Sequence, residues 1–205
     1  MGPRTVSGQP ASVPALDSPQ DPALRYVLAV GAVSAGLPLS DAGHDGDTDL
    51  SLDVEPVVSD ARARMVARGW GIEPVGEPGK AGGCPGTVVV LVDGLGLEML
   101  RRRRGHTPTL RRWLGQCEAG AAGGGNAIRT CRPSTTAAAL TMLGTSALPG
   151  TTGMVGYSVL NPLLGPALEA SAVPGPDQVL SLITWKGDNV PSPRSWQDVP
   201  TIFER

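Results

Sequence analysis

Residues 87–93, TVVVLVD, form an unbroken β-branched and aliphatic run that closes on Asp93. A run this short, apolar on both faces, predicts a strand in the middle of a parallel sheet covered by helices. Residues 97–115 carry a helical pattern in two pieces, broken near Gly105 and Pro108. Further on, Pro133 interrupts whatever precedes it. Ser134, Thr135 and Thr136 then stand where a helix begins, and AAALTML continues it with strong helix formers. Upstream the pattern is thinner. Residues 23–34 predict one short helix with Pro22 near its start. Residues 58–69 predict another, with Ser59 or Asp60 as its N-cap and Gly69 as its stop.

The remaining stretches are polar or glycine-rich. Residues 1–22, dominated by Pro, Ser, Gly and Asp, predict a disordered leader. Residues 70–86 hold six glycines and three prolines and predict a linker or surface loop. The division that follows is a poorly ordered region over 1–80 with one or two short helices, and an α/β unit over 81–205.

Composition narrows the picture. The chain has 205 residues, enough for one domain or one and a half. Aromatics are only 3% against an apolar fraction of 40%, so Val, Leu and Ala must fill the core. A net charge of −2 makes no electrostatic case for nucleic acid or an anionic membrane as partner. No stretch of about 20 apolar residues is present, so no membrane span is expected. Arg4 is not followed by an apolar signal-peptide core, which leaves the cytoplasm as the default location. Cys84, Cys117 and Cys131 are odd in number and lack CxxC spacing, which argues against a disulfide framework and a thiolate zinc site.

Candidate chemistry falls in few places. His44 with Asp41, Asp45, Asp47 and Asp49 reads as a metal loop or as a solvated acidic loop, and it lacks the spacing of a calcium-binding loop. Arg101 to Arg104 form a basic run that suits either phosphate contact or a solvated helix end. His106 stands alone in a turn. Neither the DGLG at 93–96 nor the glycines at 120–125 complete a nucleotide-binding fingerprint, so tight backbone turns explain them better. Asp93 is different. A carboxylate at the carboxyl end of a central strand lies where ligands collect in open α/β sheets. It either meets a cation or donor there or caps the next helix. The hydroxyls of residues 134–136 lie at a helix N-terminus, which suits a phosphate or an attacking alkoxide. The alternative is N-capping by Ser134 or Thr135.

The run from Thr87 to Tyr157 resembles the type I phosphodiesterase and nucleotide pyrophosphatase branch of the alkaline phosphatase superfamily, especially its bacterial members. Four pieces carry the resemblance: VVLVDGLG; Pro133-x-x-Thr136; Thr145 with Pro149 and Gly153, where Ser146 replaces a usual glycine; and WQDVPTIFER at 196–205. The resemblance implies an alkaline-phosphatase-like three-layer αβα fold with a mainly parallel central sheet, incomplete in this chain. It implies that residues 81–205 are the N-terminal part of a catalytic domain. It implies a metal-dependent hydrolase of phosphoric esters acting on a small phosphate ester or nucleotide.

Asp93 becomes a ligand of one metal. Thr136 becomes the nucleophile, its oxygen on that same metal, and Thr135 is the competing candidate. The implied cofactor is zinc, two ions in the complete family site. Members of the family complete that site with two more aspartates and three histidines later in the chain. Here His44 and His106 both precede Thr136, and Asp177, Asp188 and Asp198 lack the family's Asp-x-x-x-His context. The expectation is therefore an N-terminal portion of a longer protein, inactive or incomplete by itself. The alternative is a non-catalytic fragment or a binding or scaffolding remnant. Asn161 and Trp185 are weaker candidates for lining a substrate pocket.

Overall fold

The computed structural model describes residues 23–40, 57–74, 86–118, 127–164, 178–187 and 189–205. The leader, the acidic loop with His44 and its four aspartates, and Cys84, Asp177 and Asp188 lie outside the described residues.

Ser59 is extended, and its hydroxyl accepts the N–H of Arg62 at 3.2 Å, which starts helix α2 (Asp60–Gly69). This satisfies one of the donors that a helix start leaves unpaired. Ala63, Val66 and Ala67 recur on one face of α2 and are fully buried. That face meets helix α1 (Val27–Ser34), which continues a 3-10 turn over Ala23–Tyr26 and is apolar almost all round. Small side chains on both helices let the backbones approach. Val30, Val33, Val58, Val66 and Ile202 form the centre of this core. Each fully buried aliphatic side chain contributes about 1.5–3 kcal/mol.

The C-terminal residues close the N-terminal helices. The Arg205 guanidinium donates to the carbonyls of Ser40 and Val58, and the Ser40 N–H returns to the Arg205 carbonyl. The Leu39 N–H meets the Asp60 carboxylate at 3.0 Å. Residues 40 and 58 are thereby held at one place.

The two-piece helix expected over 97–115 forms as α3 (Leu97–Arg102), a 3-10 turn (Arg104–His106) and α4 (Pro108–Glu118), interrupted around Gly105 and Pro108. Helix α5 (Thr136–Thr145) follows the hydroxyl cluster. Pro149 then opens the short α6 (Pro149–Thr152), which ends on Gly153 in the left-handed region. Strands β1 (Ser158–Leu160) and β2 (Val179–Ser181) pair antiparallel with Val159 opposite Leu180. Below them Ala137, Met154, Leu180 and Leu182 form a second core against Trp185 and Trp196, whose rings meet edge-on at 6.2 Å. Helix α7 (Pro193–Trp196) completes the order.

Mixed helix with a small sheet is compatible with an α/β fold. The central strand expected at 87–93 is a correction. The segment is not in a sheet, and the sheet of the described residues is two-stranded and antiparallel. A strand exists only through its neighbour. No main-chain hydrogen bond joins Val88–Leu91 to another segment among the described residues. Val88 and Val90 are consequently 88% and 78% exposed. The segment is tied at its start, where the Thr87 hydroxyl donates to the Gly31 carbonyl at 3.0 Å.

Candidate functional site

Asp93 sits at the end of the apolar run because Gly94 turns the chain away from it. Gly94 has φ +72°, a region that glycine enters without steric cost. The Leu95 N–H closes the turn on the Val92 carbonyl. Asp93 does not cap α3, whose N-cap is Gly96. Its carboxylate instead meets the hydroxyl cluster.

At that cluster Thr135 is the N-cap residue of α5, in an extended conformation, yet its side chain makes no capping bond. Its hydroxyl is buried and has no partner among the described residues. Thr136, the first helical residue, donates its hydroxyl to Asp93 Oδ2 at 3.2 Å across 43 residues of sequence. Thr136 is half-buried, so its hydroxyl keeps access from outside. The N–H groups of the first turn of α5 point in the same direction and carry the positive end of the helix dipole. The site thus joins a hydroxyl, a carboxylate acceptor and a cluster of main-chain donors. Such donors favour an anion.

The spaced tail behind Thr136 is structural. Thr145 is buried; its hydroxyl donates to the Thr141 carbonyl at 2.8 Å and accepts the Ala147 N–H. Gly153, at φ +69°, lies against Trp196, whose indole nitrogen would be 3.1 Å from an added Cβ. The Glu204 carboxylate folds back onto Thr201 in a turn: the Thr201 N–H and hydroxyl both donate to Glu204 Oε2, at 2.8 and 3.0 Å. Arg194 reaches Glu204 Oε1. The Thr201 N–H and the Arg194 guanidinium hold the Glu204 carboxyl down at about 2.

The other candidates are dispersed. His106 is exposed in the turn between α3 and α4. Arg102 pairs with Glu98 on an exposed face of α3. Asp198 is exposed. Cys131 is buried as a free thiol. Asn161 is used structurally, donating to the Asn189 carbonyl and accepting the Leu163 N–H. Trp185 does line a cleft of about 310 Å³ beside α5, with Leu140, Thr141, Thr145, Met154 and Gln197. Arg25, which sequence reasoning missed, is buried against the far end of α5, its Nε donating to the Ser146 carbonyl. Its only sequence signal is a charge inside an otherwise apolar helical stretch.

Asp93 Oδ2 and Thr136 Oγ1 suit zinc in kind, both being oxygen donors. They do not suffice in number, because zinc takes about four ligands. Among the described residues, no group of three or more His, Cys, Asp or Glu side chains is placed to hold a metal. No helix of the described residues is long and apolar enough to cross a membrane.

A family model described as type I phosphodiesterase / nucleotide pyrophosphatase matches residues 87–204. That span runs from the start of the apolar run through the Thr201–Glu204 pair and includes both Asp93 and Thr136. No curated protein and no solved structure matches significantly.

Proposed function

Because the chain belongs to the type I phosphodiesterase / nucleotide pyrophosphatase family, we propose that its site hydrolyses phosphoric esters with Thr136 as the nucleophile. The observation that carries this reading is the Thr136 hydroxyl donating to Asp93 Oδ2. A neutral threonine hydroxyl attacks poorly and needs its proton drawn away. The Asp93 carboxylate is oriented to accept it. The Thr136 oxygen then bonds to phosphorus as the ester P–O bond breaks and the leaving alcohol departs. The first N–H groups of α5 receive the nonbridging oxygens, where negative charge accumulates. Water afterwards cleaves the phosphothreonine and returns the hydroxyl. Zinc, held in part by Asp93 and the Thr136 oxygen, would supply Lewis-acid stabilisation of the alkoxide. The substrate class is a small phosphate ester or nucleotide.

The test is zinc content together with hydrolysis of bis-p-nitrophenyl phosphate and p-nitrophenyl phosphate, with and without added zinc. Turnover that disappears in Thr136→Ala supports the reading; equal turnover in the variant rejects the nucleophile. The small donor set around Asp93 favours a second reading, a non-catalytic member of the family. Its signature is no bound zinc and no turnover under any zinc concentration, with saturable binding of a partner.

A further inference from the structure

Arg25 is 1% exposed, in the turn that precedes α1. Withdrawing a guanidinium from water costs several kcal/mol unless its surroundings compensate. Part of the compensation is local, the guanidinium lying 5.4 Å from the Tyr26 ring centroid, and part lies 121 residues away, where Nε donates to the Ser146 carbonyl at 3.1 Å. Ser146 is the C-cap of α5. The last carbonyls of a helix lack intrahelical donors and carry its negative pole, so a cation there is held by hydrogen bonding and by the dipole. One more bond fixes the same end: the Ile202 N–H donates to the Gly144 carbonyl in the last turn, while the Leu24 N–H donates to the Arg129 carbonyl, seven residues ahead of the helix.

Thr136 stands at the opposite end of α5, ten residues before Ser146, or about 15 Å away. At that lever length a tilt of about 4° at the clamped end displaces the hydroxyl by about 1 Å, and a misplacement of that size lowers turnover by about 100-fold. The matched family span begins at residue 87, so this clamp comes from outside it.

We propose that Arg25 is a positioning residue for Thr136, acting through the carboxyl end of α5. Its kinetic consequence rests on the hydrolase reading; its structural consequence does not. The experiment uses the full chain with Arg25→Met, which keeps the bulk without the charge, and Arg25→Lys, which keeps a donor. Amide hydrogen exchange is followed over 136–146 and over 60–69, alongside kcat and KM for bis-p-nitrophenyl phosphate with added zinc.

Arg25→Met should raise exchange at least tenfold in 136–146 and leave 60–69 nearly unchanged. Arg25→Lys should recover part of that protection. kcat should fall about 100-fold in Arg25→Met at constant KM. An equal rise in both segments would make Arg25 a general stability residue and overturn the proposal, as would unchanged exchange in 136–146. Normal kcat despite loosened α5 would overturn the positioning role. If the unaltered chain has no turnover, the hydrolase reading fails instead, and the exchange contrast still decides whether Arg25 holds α5.

Discussion

The hydroxyl of Thr136 and the carboxylate of Asp93 meet at 3.2 Å, although 43 residues separate them in the chain. A bond between two candidate site residues gives each a distinct variant. Thr136→Ala removes the attacking atom and should reduce phosphodiester hydrolysis by roughly 10⁴-fold or more. Asp93→Asn keeps an acceptor but loses the charge. It should lose zinc affinity as well as rate, read by calorimetry and by turnover against zinc concentration.

Ser146 occupies the left-handed region at φ 59° and is fully buried, with a hydroxyl that has no partner among the described residues. The left-handed conformation costs a non-glycine residue about 1–2 kcal/mol, and a buried unpaired hydroxyl about 1–3 kcal/mol. Glycine gives back about 0.4–1 kcal/mol through the freedom it adds to the unfolded chain. Ser146→Gly should therefore stabilise the protein by roughly 1–4 kcal/mol, measured as a higher urea midpoint at unchanged slope. A lower midpoint would show that the Ser146 side chain contributes a contact that outweighs the strain.

Gly153 gives the opposite expectation. At φ +69° and with the Trp196 indole nitrogen 3.1 Å from where a Cβ would stand, Gly153→Ala combines backbone strain with a steric push. A loss of about 1–3 kcal/mol is expected. The change should appear in tryptophan fluorescence, because Trp196 packs edge-on against Trp185.

Acid should open the C-terminal clasp. Glu204 is held down at about 2 by the Thr201 N–H first and by Arg194 beside it, against an ordinary value of 4.5. A depressed carboxyl stabilises the folded state above its unfolded pKa and loses that contribution as pH falls through the folded one. The window is therefore from about 4.5 down to about 2. Asp60 adds to the same trend: burial raises its pKa, but the Arg64 and Leu39 hydrogen bonds outweigh that and leave it lowered. In Glu204→Gln, thermal stability should change less across that window than in the unaltered protein.

Parts of this molecule were legible in its residues, for local reasons. Gly105 and Pro108 interrupt the helical pattern wherever the chain is placed, and two helices form on either side. The Ser59 cap needs only the three residues after it. The Thr136–Asp93 meeting was suggested by a motif and not by pattern, since nothing in either segment specifies the other's position. The segment at 87–93 failed as a strand because β-propensity describes a residue's fit to a sheet and cannot provide the adjacent chain. Arg25 was unreadable for a related reason: the α5 partner of its guanidinium is a main-chain carbonyl 121 residues later, which has no side-chain signature.

The closure between residues 40 and 58 has a consequence for engineering. Ser40, Val58 and Arg205 share hydrogen bonds, and Leu39 is bonded to Asp60. These bonds hold residues 40 and 58 together, whatever the length of the connection between them. Each doubling of such a connection costs only about 0.6 kcal/mol in closure entropy. Lengthening the connection between residues 40 and 58 should therefore cost little folding stability as long as the Arg205 bonds are kept.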